Sequence, residues 1–206
     1  MPGFDRLFDP AADAAIVTGA GNGIGRSIAL ALVAQGIRTV FADSNAETVN
    51  ATVKSAADPA LATAWVGDLA QKPECDRLLA DARRKNGLVT RFVHSASPPR
   101  HERDHMLTVS DETWERMRSV NLDAGFRLGR GISKALIDAK SPGALLYLTS
   151  LHAETPRNLP HYSTSKTAMA MLVKELAKAM GRYSIRVNAL GTTAIAHGCY
   201  VAGPPL

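Results

Sequence analysis

The stretch from Ala14 to Gly25, AAIVTGAGNGIG, constrains this chain more than any other. The apolar run Ala14 to Val17 reads as a buried strand because it is short, rich in branched residues and ends at a glycine turn. Directly after the turn, Ile24, Ile28, Leu32 and Gln35 recur at helical spacing over Gly23 to Gln35, and Gly36 closes the segment. A strand that feeds at once into a helix returns the chain across the sheet, so the following strand lies parallel and the crossover is right-handed. The alternation continues. Strands are predicted at Thr39 to Ala42, at Thr63 to Val66, around Phe92 and Val93, at Ala144 to Leu148 and at Ile185 to Ala189. Helices are predicted at Glu47 to Ala57 and at Pro73 to Lys85, the latter started by Pro73 and stopped by Gly87. A long helix after Ser110 carries Trp114, Met117, Asn121 and Leu128, and a last one spans Ser163 to Met180. The pattern predicts an α/β fold with a doubly wound parallel sheet in three layers, α/β/α.

Composition sets the remaining bounds. With 206 residues, 46% apolar and 21% charged, the chain is too apolar and too weakly charged to be disordered, and one domain over 1–206 fits the length. Cys75 and Cys199 are too few for a disulfide framework and wrongly spaced for a zinc knuckle, so a reducing compartment and no metal are expected. The start MPGFDRLFDP shows neither a basic leader nor an apolar core, and no window offers ~18 uninterrupted apolar residues. A soluble, cytoplasmic protein without a membrane partner is the expectation. Lys and Arg number 24 against 19 Asp and Glu, a net +5. That basic balance invites nucleic acid, but the densest cluster, Arg83-Arg84-Lys85, shares its segment with Asp76 and Asp81 and reads as a solvated helix face. No nucleic-acid partner is expected.

In such a fold, ligands sit at the carboxyl ends of the strands. The glycines there do not follow G-x-G-x-x-G, because Ile24 and Arg26 occupy the positions of a final glycine; they read as Gly19-x-x-x-Gly23-x-Gly25. That spacing permits close backbone approach to a pyrophosphate, to which the helix N-terminus offers unpaired N–H groups, although a glycine-rich turn can also be only a turn. Asp43 ends the second strand, where a carboxylate accepts from both adenosine ribose hydroxyls and repels a 2'-phosphate, so NAD is favoured over NADP. The alternative is that Asp43 merely caps the next turn. Asp68, after the third strand, either accepts from the adenine amino group or holds a Gly-Asp-Leu turn.

The chemistry sits farther along. Tyr162-Ser163-Thr164-Ser165-Lys166 places a phenol and an amine at i and i+4, on one helix face. A tyrosine near its ordinary pKa of ~10 is a poor base at neutral pH, and activating it by ~2–3 units takes ~3–4 kcal/mol. A cation ~4 Å away at an effective dielectric of ~20 supplies about that much, and Lys166 is the cation at hand. Ser150 ends the fifth strand, where a hydroxyl can meet a substrate carbonyl, though a turn serine is the plainer reading. Asn121, a poor helix former in mid-helix, gains a site role only from this company.

Taken in order, these motifs resemble the short-chain dehydrogenase/reductase family, whose members adopt the Rossmann fold, and the match runs from about residue 12 to 203. The resemblance implies a catalytic tetrad of Asn121, Ser150, Tyr162 and Lys166. In it Tyr162 is the general acid/base, Lys166 activates it and holds the nicotinamide ribose, Ser150 polarises the carbonyl, and Asn121 anchors a water. It implies cofactor contacts from Gly19, Asn22, Gly23, Ile24, Gly25, Asp43, Asp68, Leu69, Ala96, Tyr162 and Lys166. The segment Ser150 to Pro156 is similar to glucose 1-dehydrogenase-like and 3-oxoacyl-reductase-like members, so Ser150, His152, Glu154 and Tyr162 would meet a polar small-molecule substrate such as a sugar, a polyol or a 3-oxoacyl compound. By the same resemblance the protein is a homotetramer or homodimer joined through the long fifth and sixth helices.

Three departures stand out. The family's Asn-Asn-Ala-Gly after the fourth strand reads His94-Ser95-Ala96-Ser97, so His94 or Ser95 must make the side-chain bonds that steady the sheet. Ser150 precedes Tyr162 by one residue fewer than usual, which calls for a shorter loop. The run Leu190 to His197 lacks the family's Pro-Gly turn and helical lid, and Tyr200 to Gly203 resembles the segment before a seventh strand, so lid and last strand are incomplete in this sequence. A catalytically weak NAD-binding scaffold or sensor on the same fold is the alternative reading.

Overall fold

The structure, a computed structural model, describes residues 13–101 and 103–192. Six parallel strands form one sheet: β1 (Ala14–Thr18), β2 (Arg38–Asp43), β3 (Ala62–Val66), β4 (Arg91–His94), β5 (Gly143–Ser150) and β6 (Ile185–Thr192). Their order is β3-β2-β1-β4-β5-β6, so the winding reverses between β1 and β4. The expected doubly wound sheet is present. Ile16 pairs with both Val40 and Phe92, and Thr18 at the end of β1 lies level with Ala42 and His94. This register brings the carboxyl ends of three strands to one edge, at the point of reversal.

Side chains alternate across the sheet because successive strand residues point to opposite faces. Ile16, Val40, Phe92, Leu145 and Tyr147 pack against α3 (Lys72–Asn86), α5 (Ala124–Asp138) and α6 (Pro160–Met180). Val17, Phe41, Val93 and Leu148 face the other way, against α1 (Gly23–Ala34) and α2 (Ala46–Lys54). Both faces of the central strands are therefore dry, which is why these strands read as apolar runs.

Local chemistry sets the ends of the helices. Asn45 caps α2 by accepting from the Thr48 amide at 3.0 Å, and Ser110 caps α4 (Asp111–Arg118) through Thr113 at 3.2 Å. Helix α6 starts at Pro160 instead of Ser163 and β6 runs on to Thr192 instead of Ala189, and two further segments depart from the sequence reading. The helix expected to reach Ala57 ends at Lys54, since Ser55 caps it and Asp58 opens a separate 3-10 turn at Pro59–Leu61. The single long helix expected after Ser110 is divided: α4 gives way to one π-helical turn, Ser119–Asp123, before α5 begins. In that turn the bonding pattern loosens, and Asn121 occupies its centre. The basic cluster behaves as expected, for Arg83, Arg84 and Lys85 are exposed on α3 and Arg84 pairs with Asp81 at 2.9 Å. Among the described residues no helix is long and apolar enough to cross a membrane. Cys75 is a buried free thiol, while Cys199, His197 and the Tyr200 to Gly203 segment lie outside the described residues.

Candidate active site

A cleft of about 1240 Å³ runs along the carboxyl edge of the sheet, from Asp43 and Asp68 at one end to Ser150 and Tyr162 at the other. Its floor is the glycine turn. Gly19 has φ +68, and a Cβ there would stand 2.9 Å from the Ala96 backbone, so only glycine lets β1 turn while β4 ends beside it. Asn22, Gly23, Ile24 and Gly25 line the cleft at the start of α1. Unlike α2 and α4, α1 has no side-chain cap and no acidic residue in its first turn. The N–H groups of Gly23, Ile24 and Gly25 thus have no side-chain cap among the described residues, which suits a phosphate.

At the adenosine end, Asp43 is held from two sides, accepting from the Gly21 amide at 2.9 Å and the Asn45 amide at 3.0 Å. It lines the cleft, and the two amide bonds make it the cap of the turn, the alternative reading of this residue. Asp68 accepts from Arg116 Nη1 at 2.6 and 2.7 Å and from the Ala70 amide at 3.0 Å. Burial works against its charge, but the bonds from Arg116 and Ala70, with the Arg116 charge, hold its carboxyl below the ordinary value. Arg116 has no sequence signal of its own; it reaches Asp68 from α4, 48 positions away. Leu69, buried, and Ala96 line the same cleft.

The departure at residues 94–97 is resolved by His94. Its Nε2 faces two backbone oxygens, of Val120 at 3.1 Å and Asn121 at 3.0 Å, which can only accept. Nε2 therefore carries the hydrogen, and Nδ1 accepts from the Thr18 hydroxyl at 3.0 Å. The Thr18 oxygen in turn accepts from the Ser95 and Ala96 amides at 3.1 and 3.2 Å. Burial above all, with the Lys166 charge, holds the imidazole down at about 4 against weaker support from the two carbonyls, so it is neutral at physiological pH. One side chain thereby ties the ends of β1 and β4 to the π-helical turn.

At the catalytic end, Pro160 starts α6 and places Tyr162 in its first turn, 6% exposed. Lys166 follows one turn later, its Nζ 5.5 Å from the Tyr162 ring centroid and donating to the Leu148 carbonyl at 2.8 Å. The two groups face the cleft together. Burial, then the charge of Arg100, brings the Lys166 amine down to about 7. Ser150 lines the cleft, donating to the Thr192 carbonyl at 3.4 Å and accepting from the His152 amide at 3.3 Å. The 3-10 turn Leu151–Ala153 supplies the short connection that the spacing from Ser150 to Tyr162 demands.

Asn121 does not line the cleft. Its Nδ2 donates to Ser165 Oγ at 2.9 Å, and Ser165 donates to the Tyr162 carbonyl at 2.8 Å, so Asn121 braces the turn that presents the phenol. Its Oδ1 is buried without a partner among the described residues. His152 lines the cleft with its ring edge-on to Tyr162 at 5.1 Å. Glu154, expected beside it, is exposed and outside the lining, because it closes the 3-10 turn on the solvent side. Arg100, which sequence reasoning passed over, stands above the Tyr162 ring at 4.4 Å. It sits in the irregular segment after β4, where no spacing rule marks a residue.

The model of the family described as "short chain dehydrogenase" matches residues 13–199. The chain belongs to the short-chain dehydrogenase family. It shares 34% identity over 176 residues with the 2,3-dihydro-2,3-dihydroxybenzoate dehydrogenase of Bacillus subtilis, covering 84% of this chain and 66% of that enzyme. A (3R)-3-hydroxyacyl-CoA dehydrogenase of Mus musculus is 27% identical, over 85% of this chain and 71% of its own length. The chain thus spans about two thirds of the length of these curated relatives. Among solved structures, an acetoin dehydrogenase from Salmonella typhimurium superposes with a TM-score of 0.82 at 27% identity, over 89% of this chain and 73% of that one. A 3-ketoacyl-(acyl-carrier-protein) reductase from Brucella melitensis, complexed with NADH, gives 0.80 at 25% identity, over 88% and 76%. The family comprises NAD(P)-dependent oxidoreductases acting on CH–OH groups.

Proposed function

We propose that this chain is one dinucleotide-binding and catalytic domain that moves a hydride between NAD(H) and a secondary alcohol or ketone. The observation that carries the reading is the meeting, in one cleft, of an uncapped glycine-turn helix with Tyr162, Lys166 and Ser150. The nicotinamide, when bound, supplies the hydride. The chain supplies the proton path and the geometry. Tyr162 gives a proton to the ketone oxygen, or takes it from the alcohol, while Lys166 lends charge to the phenolate and holds the nicotinamide ribose. Ser150 donates to the substrate oxygen as charge develops there. Asn121 steadies the first turn of α6 and offers its unpartnered Oδ1 to a water in the relay. Gly19, Asn22, Gly23, Ile24 and Gly25 cradle the pyrophosphate, and Asp68, Leu69 and Ala96 border the rest of the cofactor.

The preference for NAD rests on Asp43, a carboxylate in the cleft with no cation directly after it in sequence. The substrate is a small molecule, and a sugar, a polyol or a 3-oxoacyl compound fits a cleft edged by His152 and Ser150. The protein works in the cytoplasm as a homodimer or homotetramer through α5 and α6, whose Phe126 and Met171 stand exposed; sedimentation analysis checks the assembly. Replacement of Tyr162 by Phe tests the chemistry: turnover falls by at least about two orders of magnitude, while NADH binding, followed by fluorescence, persists. Activity retained in that variant sinks the assignment.

A further inference from the structure

Charge is distributed unevenly along the cleft. The carboxylates that line it, Asp43 and Asp68, both sit at the β2 and β3 end, and Asp68 is already matched by Arg116. Around Tyr162 the lining contains Arg100, Arg157, His152 and Lys166 and no carboxylate among the described residues. Among the described residues, half-buried Arg100 makes no ion pair or hydrogen bond, and its guanidinium lies over the Tyr162 ring, 4.4 Å away. Its charge adds to the effect of burial on Lys166 and His152.

A guanidinium stays protonated, and holding it half-buried without a counter-ion is costly. A ring face offsets part of that cost but uses up no N–H donor. Arg100, Arg157 and Lys166 line the cleft around the phenol, whereas Asp104, 3.9 Å from His161 Nε2, stands outside the lining, so this end of the cleft is short of negative charge. The cofactor pyrophosphate does not supply it, since that group belongs at the N-terminus of α1, by the glycine turn.

We propose that Arg100 is a specificity residue that selects substrates bearing a carboxylate, which it binds through paired N–H donors next to Tyr162, with Arg157 adding charge at the rim. A planar, singly charged anion matches the planar fork of the guanidinium. The inference rests on the oxidoreductase reading of the same site. It goes further in excluding neutral sugars and polyols as the preferred substrates.

Benzoate and benzamide, alike in shape and different in charge, are the probes, titrated calorimetrically into NADH-saturated protein. Benzoate is expected to bind more tightly by about tenfold or more, as a charge-assisted bidentate pair does. Arg100→Met abolishes that difference and Arg100→Lys keeps part of it, with NADH affinity reporting that each variant is folded. If Arg100→Met does not fold, Arg100→Gln, which keeps the polar length and removes the charge, is measured in its place. Equal binding of the two probes, no binding of benzoate, or a difference that survives in a folded, charge-removed variant overturns the proposal. These outcomes are separate from the Tyr162→Phe assay: a protein that turns over alcohols yet ignores the charge of the probe refutes only the carboxylate site. One that prefers benzoate yet never moves a hydride refutes only the chemistry.

Discussion

His94 shows how one substitution within a family pattern can be absorbed. The imidazole spans from Thr18 to the carbonyls of Val120 and Asn121, and it does so only in one neutral tautomer. Removing it as His94→Ala takes away the acceptor of the Thr18 hydroxyl hydrogen and the ring donor facing the Val120 and Asn121 carbonyls, a loss of ~2–4 kcal/mol expected in denaturant unfolding. His94→Asn, with a donor and an acceptor on a shorter side chain, should recover part of that. The sign of the pH dependence follows from the depressed pKa. The unfolded chain takes up a proton near the ordinary histidine value of 6.5, and the folded one only at about 4. Stability contributed by neutral His94 is complete above 6.5, drains away as pH falls toward 4, and changes no further below that. A comparison of unfolding free energies for the wild type and His94→Asn across this window measures the difference, expected at roughly 3 kcal/mol if the whole shift is expressed.

Between elements, the decisive contact is that of α5 with the sheet. Tyr147 on β5 is fully buried and donates its hydroxyl to the Gly125 carbonyl at 3.0 Å, while Gly129 one turn on leaves room for that hydroxyl. A methyl group at Gly129 would collide with it. Gly129→Ala should therefore destabilise by ~1–3 kcal/mol despite its better helix propensity, and a lowered melting temperature checks this. In the double variant Gly129→Ala, Tyr147→Phe the collision is relieved, so the two changes should be less than additive. The same helix begins at the π-helical turn, which sets Asn121 facing Ser165 instead of letting the α4 pattern run on. No period in the sequence announces that turn, because Trp114, Met117, Asn121 and Leu128 fit an unbroken helix equally well.

For the whole molecule, cofactor binding and stability are linked, since a ligand held by the folded state alone raises the melting temperature. At a hundredfold excess over its dissociation constant, NADH should add about 2.7 kcal/mol to the unfolding free energy. Asp43→Ala should shrink the shift given by NADH more than the shift given by NADPH; equal shrinkage would mean that another group reads the ribose. The six-strand order places this carboxylate, the glycine turn and Tyr162 along one edge although they come from β2, α1 and α6.

Much of this was decided locally and is legible in the chain alone. The strand-turn-helix rhythm from Ala14 onward, the caps, the glycine spacing and the one-turn separation of Tyr162 and Lys166 follow from steric and periodic rules that act over a few residues. The tertiary structure decided what depends on distant partners. Arg116 meets Asp68, His94 links Thr18 to the π-helical turn, Asn121 faces Ser165 rather than the cleft, Glu154 turns to solvent, and Arg100 comes to rest on Tyr162. Periodicity records which face of an element is apolar; it carries no information about which polar side chain from another element will arrive there.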